Sequence, residues 1–183
     1  MYRRVDAARE PRLHSGSHSM PSTLPAPGRL LRDAWRRLAP LPGGRFLFSL
    51  MLGRMVPYTG ALGARVQELE PGYARVTLRD RRGVRNHLGS VHAVALANLA
   101  EVTSGLAMLT SLPEGARGIV VHLGIEYLKK ARGTLTAECR CPAPSGIEET
   151  VTVTAIVVNV ANEVVARAEV RWLIRPAQAA SHA

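Results

Sequence analysis

The chain has 183 residues, a formal net charge of +10, 46% hydrophobic residues and 21% charged residues. Such a length and balance suit one globular domain with a tail and exclude a chain that is disordered throughout. Its two cysteines are too few for a disulfide scaffold, and the sequence offers no apolar run of the ~18 residues that span a bilayer.

The positive charge comes from 22 arginines against 2 lysines, scattered from Arg3 to Arg175. A nucleic-acid surface needs clustered charge with a recognition element or stacking aromatics. Aromatic residues are only 4% of the chain, so nucleic acid is not an expected partner. Residues 1–27 are rich in Ser, Pro, Arg and His and read as a disordered tail. Its arginines lead into no apolar stretch, so it does not read as a secretory signal peptide.

Residues 28–58 read as an N-terminal helical extension. Leu30, Leu31, Trp35 and Leu38 recur at helical spacing over Gly28–Leu38. Phe46–Val56 is a second short apolar helix, stopped by Pro57. It is too short to span a membrane and reads as a cap on a core, without membrane insertion.

Residues 59–176 form the main domain, followed by a C-terminal tail at 177–183. Ala64–Glu70 and Tyr73–Asp80 alternate and are joined by Pro71-Gly72, a hairpin pattern. A polar stretch, Arg81–Leu88, leads into an Ala- and Leu-rich helix over Ser90–Leu112, with Ser90 as its expected N-cap. Four strands follow, at Ile119–Lys129, Thr134–Cys141, Glu148–Val160 and Glu163–Ile174. The order of two strands, one long helix and four strands predicts an α+β fold. The helix is apolar nearly all round, so it is buried on most sides, either by a sheet that wraps it or by a sheet on one side and a second subunit on the other.

Glu101 is the outlier in that helix. Burying a carboxylate costs several kcal/mol unless it is paired or neutralised. Two readings stay open on the residues alone: an ion pair or solvent-facing rim, or a functional acid. Asn86, His87 and His92 lie at or just before the helix start, where unpaired N–H groups suit an oxygen that gains negative charge. Either histidine alone also fits an exposed loop or cap. His92 and Glu101 are nine residues apart, which places them on opposite sides of the helix and ~13 Å apart along it. A site that uses both needs two subunits.

The run Asn86-His87-Leu88-Gly89-Ser90-Val91-His92, with Glu101 nine residues later, resembles the hotdog fold in its PaaI-like acyl-CoA thioesterase branch. Ile125–Gly133 is similar to that family's Tyr-Leu-x-Pro-Ala-x-x-Gly turn. Val84–Ala95, Glu101–Gly105, Trp35 and Pro57-Tyr58 resemble most an uncharacterised bacterial subgroup. The resemblance implies a long central helix wrapped by a curved antiparallel sheet, with short N-terminal helices. It implies a homodimer or dimer of dimers and an acyl-CoA substrate, with no metal or other cofactor. Asn86 and the Ala93 N–H would hold the thioester carbonyl, Glu101 of the second subunit would act as base or nucleophile, and His92 would orient the loop. Gly89 and His87 complete the substrate-binding loop. Several positions depart from the family. Ala93 and Val94 replace two glycines, Glu101 replaces an aspartate, Val120 stands where some relatives carry a hydroxyl, and Lys129 or Lys130 replaces a proline.

Arg85, Lys129, Lys130 and Arg132 form a basic group that reads as CoA-phosphate contacts or as a solvated turn. Along Ile119–Tyr127 the odd positions, Ile119 to Tyr127, should face the helix, and Val120, His122, Gly124 and Glu126 the other side. Cys139 and Cys141 share a strand face ~6–7 Å apart, too far for an unstrained disulfide, and read as buried thiols of a cytoplasmic protein. Three functions follow: an acyl-CoA thioesterase, a non-catalytic acyl-CoA or acyl-chain binding module, or a 3-hydroxyacyl-thioester dehydratase. The last would use His87, fourteen residues before Glu101.

Overall fold

A computed structural model describes residues 27–176, so the expected C-terminal tail at 177–183 and all but the last residue of the expected tail at 1–27 lie outside the described residues, and that last residue, Pro27, opens a helix. Three short helices, α1 (Pro27–Leu38), α2 (Gly44–Met55) and α3 (Pro57–Leu62), precede β1 (Arg65–Glu70) and β2 (Tyr73–Leu78). The long helix α4 (Ala93–Ser111) follows, then β3 (Ala116–Tyr127), β4 (Leu135–Arg140), β5 (Glu149–Val158) and β6 (Val164–Pro176). The six strands form one antiparallel sheet in the order β1-β2-β4-β5-β6-β3. Helix α4 packs on it, touching all six strands.

The sequence explains the close fit of helix and sheet. Ala74, Ala137, Ala155, Ala166 and Ala168 are all fully buried. Small side chains there let the helix approach while Leu99 and Met108 fill the space around them. Gly105 of α4 has a more particular reason to be small: a Cβ there would lie 3.3 Å from the Trp172 ring on β6.

The N-terminal helices belong to the same core. Trp35 of α1 meets Phe48 of α2 edge to face at 5.0 Å. Ser49 Oγ donates to the Arg45 carbonyl and accepts the Val66 N–H at 2.9 Å, which pins α2 to β1. Arg32 donates to the Thr110 carbonyl at 2.6 Å. That places a cation on the unpaired carbonyls at the C-terminus of α4, where the helix dipole favours it.

Five local expectations are corrected. Pro57 ends α2 but also opens α3, because proline is well suited to the first turn of a helix. The N-cap of α4 is His92, and Ser90 lies in the loop before it. Strand β3 starts at Ala116, three residues early. It also carries a bulge between Val120 and His122, and one extra residue exchanges the two faces beyond it. Val120 and Ile125 both therefore pack on the core, while Ile119 and Val121 are 55% and 53% exposed. Helix α4 has the length and hydropathy of a membrane span, contrary to the simple run count, and 67% of its most apolar stretch is buried within the fold.

Candidate active site

The loop before α4 is held from both sides. The Asp80 carboxylate, 6% exposed, accepts from Arg85 Nε at 2.6 Å and from the Gly133 N–H at 2.9 Å. The Arg85 hydrogen bond holds the Asp80 carboxyl below its usual range. The Val91 N–H donates to the Ala131 carbonyl and the His92 N–H to the Val84 carbonyl, at 2.9 and 2.8 Å. These bonds fix the loop between β2 and the turn that follows β3.

Within the loop Asn86 is the hub. Its Oδ1 accepts from the Leu88 N–H at 3.0 Å, and from the Ser90 N–H and hydroxyl at 3.2 Å each. Gly89 closes the turn at φ 68°, a left-handed conformation that a side chain disfavours. With its oxygen occupied, Asn86 keeps its Nδ2 group as a donor without a partner among the described residues.

His92 is extended, and its Nδ1 accepts the Val94 N–H at 3.2 Å. Neutral His92 therefore carries its proton on Nε2. Its carbonyl receives the Ala95 and Leu96 N–H groups. The Ala93 N–H alone among these first-turn donors has no partner among the described residues. Two donors, Asn86 Nδ2 and the Ala93 N–H, thus stand at the positive end of α4. Tyr127 adds a support that the sequence reading did not single out: its hydroxyl donates to the Ala93 carbonyl at 3.1 Å.

Glu101 lies half-buried in the middle of α4, and burial raises its pKa. Among the described residues no cation pairs with its carboxylate and no group donates to it. The ion-pair reading of this residue therefore has no partner within the described chain. One turn earlier, Asn98 donates through Nδ2 to Thr59 Oγ1 of α3 at 3.1 Å, and its buried Oδ1 has no partner. A buried acceptor without a donor costs about 1–3 kcal/mol. Sequence reasoning passed over Asn98, although a polar amide in an apolar helix was the signal.

The single chain does not bring all the predicted residues together. Asn86, Gly89, His92 and Ala93 gather at the start of α4, and Glu101 sits two and a half turns along it. Grooves of about 400 and 490 Å³, one between α2, α3 and β1 and one on the sheet beside Tyr73 and Cys139, include none of these residues. His87 is exposed on the loop, and His122 is exposed on β3. Of the four cations, Arg85 is bound to Asp80 and Lys129 to Glu163 at 2.6 Å, whereas Lys130 and Arg132 are exposed and have no ion pair among the described residues. Among the described residues no cluster of metal-binding side chains occurs.

Comparison with known proteins places this arrangement. A structural-genomics crystal structure is 31% identical with a TM-score of 0.71, covering 80% of this chain and 99% of its own. PA5026 of Pseudomonas aeruginosa, described as a protein of unknown function and a "Probable Thioesterase", is 26% identical with a TM-score of 0.65, covering 74% of this chain and 97% of its own. A thioesterase family protein from Silicibacter pomeroyi shares the fold at 18% identity with a TM-score of 0.61, covering 80% of this chain and 96% of its own. No curated protein sequence matches the chain. The fold is the hotdog fold of thioesterase-family proteins, as the resemblance implied. The model of a domain of unknown function, DUF4442, matches residues 44–174, from the start of α2 to near the end of β6, and the chain belongs to that family.

Proposed function

We propose that the protein hydrolyses an acyl-CoA thioester at a site completed between two copies of the chain. The observation that carries this reading is the division of labour along α4. Free carbonyl-binding donors stand at its start, and an unpaired, half-buried carboxylate lies two and a half turns away. Strand β3 supports the pairing. It is an edge strand of 12 residues whose Ile119, Val121 and Tyr127 are about half exposed. A long apolar edge invites a second strand.

The chemistry follows from the groups. Asn86 Nδ2 and the Ala93 N–H bind the thioester carbonyl oxygen, and His92 holds the helix start in shape. Glu101 of the second copy takes a proton from a water, whose oxygen adds to the carbonyl carbon. The C–S bond then breaks, and the proton passes from Glu101 to the thiolate. Lys130 and Arg132 are the free cations for the CoA phosphates, with Arg85 and Lys129 next to them in internal pairs. Two free buried thiols fit a reducing cytoplasm.

A second reading, a module that binds acyl-CoA without turnover, draws on Val94 and Val120. The Val94 side chain is 52% exposed at the helix start, where the family carries glycine, and Val120 offers no hydroxyl.

The test is release of free CoA from short, long and aromatic acyl-CoAs by wild type, Glu101→Ala and His87→Ala. Release that vanishes with Glu101→Ala and persists with His87→Ala supports the thioesterase. No release, with acyl-CoA still raising the melting temperature, favours the binding module. Hydration of an enoyl-CoA that depends on His87 would identify a dehydratase instead.

A further inference from the structure

Among the described residues, two buried side-chain atoms lack a hydrogen-bond partner, Asn98 Oδ1 and Trp172 Nε1. Asn98 lies three residues before Glu101. Residues at that spacing are neighbours on one helix face, with Cβ atoms about 5–6 Å apart. The far end of the Asn98 amide is fixed, because Nδ2 donates to the hydroxyl of Thr59, which is 2% exposed. Glu101 is the only charged residue of α4, and its carboxylate has no partner among the described residues. No charged side chain on α1, α3 or the six strands acts on it; burial alone moves its pKa. An acceptor waiting for a donor therefore lies one helical turn before an acid that becomes a donor whenever it holds a proton.

Resting on the thioesterase reading, we propose that Asn98 is a positioning residue whose Oδ1 accepts the O–H of neutral Glu101, with Thr59 holding the amide in place. Glu101 takes a proton from the attacking water and becomes a neutral carboxyl. Its O–H donates to Asn98 Oδ1 while the tetrahedral intermediate stands. The proton then moves to the departing sulfur as the C–S bond breaks, and Glu101 is a carboxylate again. Helix α3 thereby becomes part of the catalytic apparatus through Thr59. The arrangement also gives Glu101 a polar neighbour on its own helix in a chain where Val120 offers no hydroxyl.

The experiment compares wild type, Glu101→Gln, Asn98→Ala, Thr59→Val and Thr59→Ser. It measures kcat, KM and the pH profile of CoA release, and follows the Glu101 carboxyl carbon by NMR as pH is changed. Asn98→Ala should lower kcat about tenfold, the scale of one hydrogen bond, with KM within about twofold. It should move the acid limb and the carboxyl titration to lower pH, because the neutral form loses its acceptor. Thr59→Val should do the same in weaker form, and Thr59→Ser should restore wild-type behaviour. A merely structural tie between α3 and α4 would change the melting temperature and leave the titration where it was, which overturns the proposal. Should Asn98→Ala unfold, the Thr59 pair makes the same comparison. If wild type releases no CoA, or Glu101→Gln matches it, the thioesterase reading falls by itself. The carboxyl titration of Asn98→Ala against wild type then still decides whether Asn98 holds the Glu101 proton.

Discussion

Glu101 illustrates how one side chain can be set against the stability of its fold. Burial makes the folded chain hold the Glu101 proton more tightly than the unfolded chain does. That preference stabilises the folded state below the ordinary glutamate range and is lost as pH rises through the raised value. Glu101→Gln keeps the shape and removes the ionisation. The variant should melt higher than wild type at neutral pH, because it carries no charge to bury. The two should converge near pH 4, close to the ordinary glutamate value. Scanning calorimetry at both pH values checks it, and a variant less stable than wild type at neutral pH would contradict it. Glu101 was legible in the sequence because a lone charge in an apolar helix is conspicuous. The His92 cap was not. Serine is the commoner cap, and the backbone bond from His92 to Val84 that moves the helix start cannot be read from composition.

At the scale of elements, the hairpin at Pro71-Gly72, the long helix and the four later strands were all readable from alternation and turn residues. The β3 bulge was not, because Ile119–Tyr127 alternates without a break in sequence while the strand gains a residue against β6. The physical result matters for assembly. Val120 turns inward and Ile119 and Val121 turn outward on an unpaired edge. A charge at the centre of that edge should prevent pairing with a second copy. Val121→Lys is expected to sediment as a monomer and to lose CoA release while its far-ultraviolet circular dichroism stays unchanged. A Val121→Lys dimer with full activity would remove β3 from the interface.

For the whole molecule, the family match from residue 44 takes in α2 and α3, and α1 packs on α2 through Trp35 and Phe48. The sequence separated a helical extension from the main domain between residues 58 and 59. The structure runs α3 through that point, from Pro57 to Leu62. Only three-dimensional packing reveals that Thr59 reaches the middle of α4. A site shared by two copies has a further thermodynamic signature. The melting temperature should rise with protein concentration, since association stabilises by mass action. A melting temperature unchanged over a hundredfold dilution, with activity retained, would return the site to the single chain.

The pair of cysteines on one strand face carries a different consequence. Both thiols are buried, Cys139 near the end of β4 with its thiol pushed up to about 12 by burial, Cys141 just past the strand. Alkylating reagents attack the thiolate, so the native protein should be nearly inert to them at neutral pH. Each labelling event then records an opening of the sheet around β4. Native wild-type protein thus contains its own clock for spontaneous unfolding, with no probe added and no residue changed.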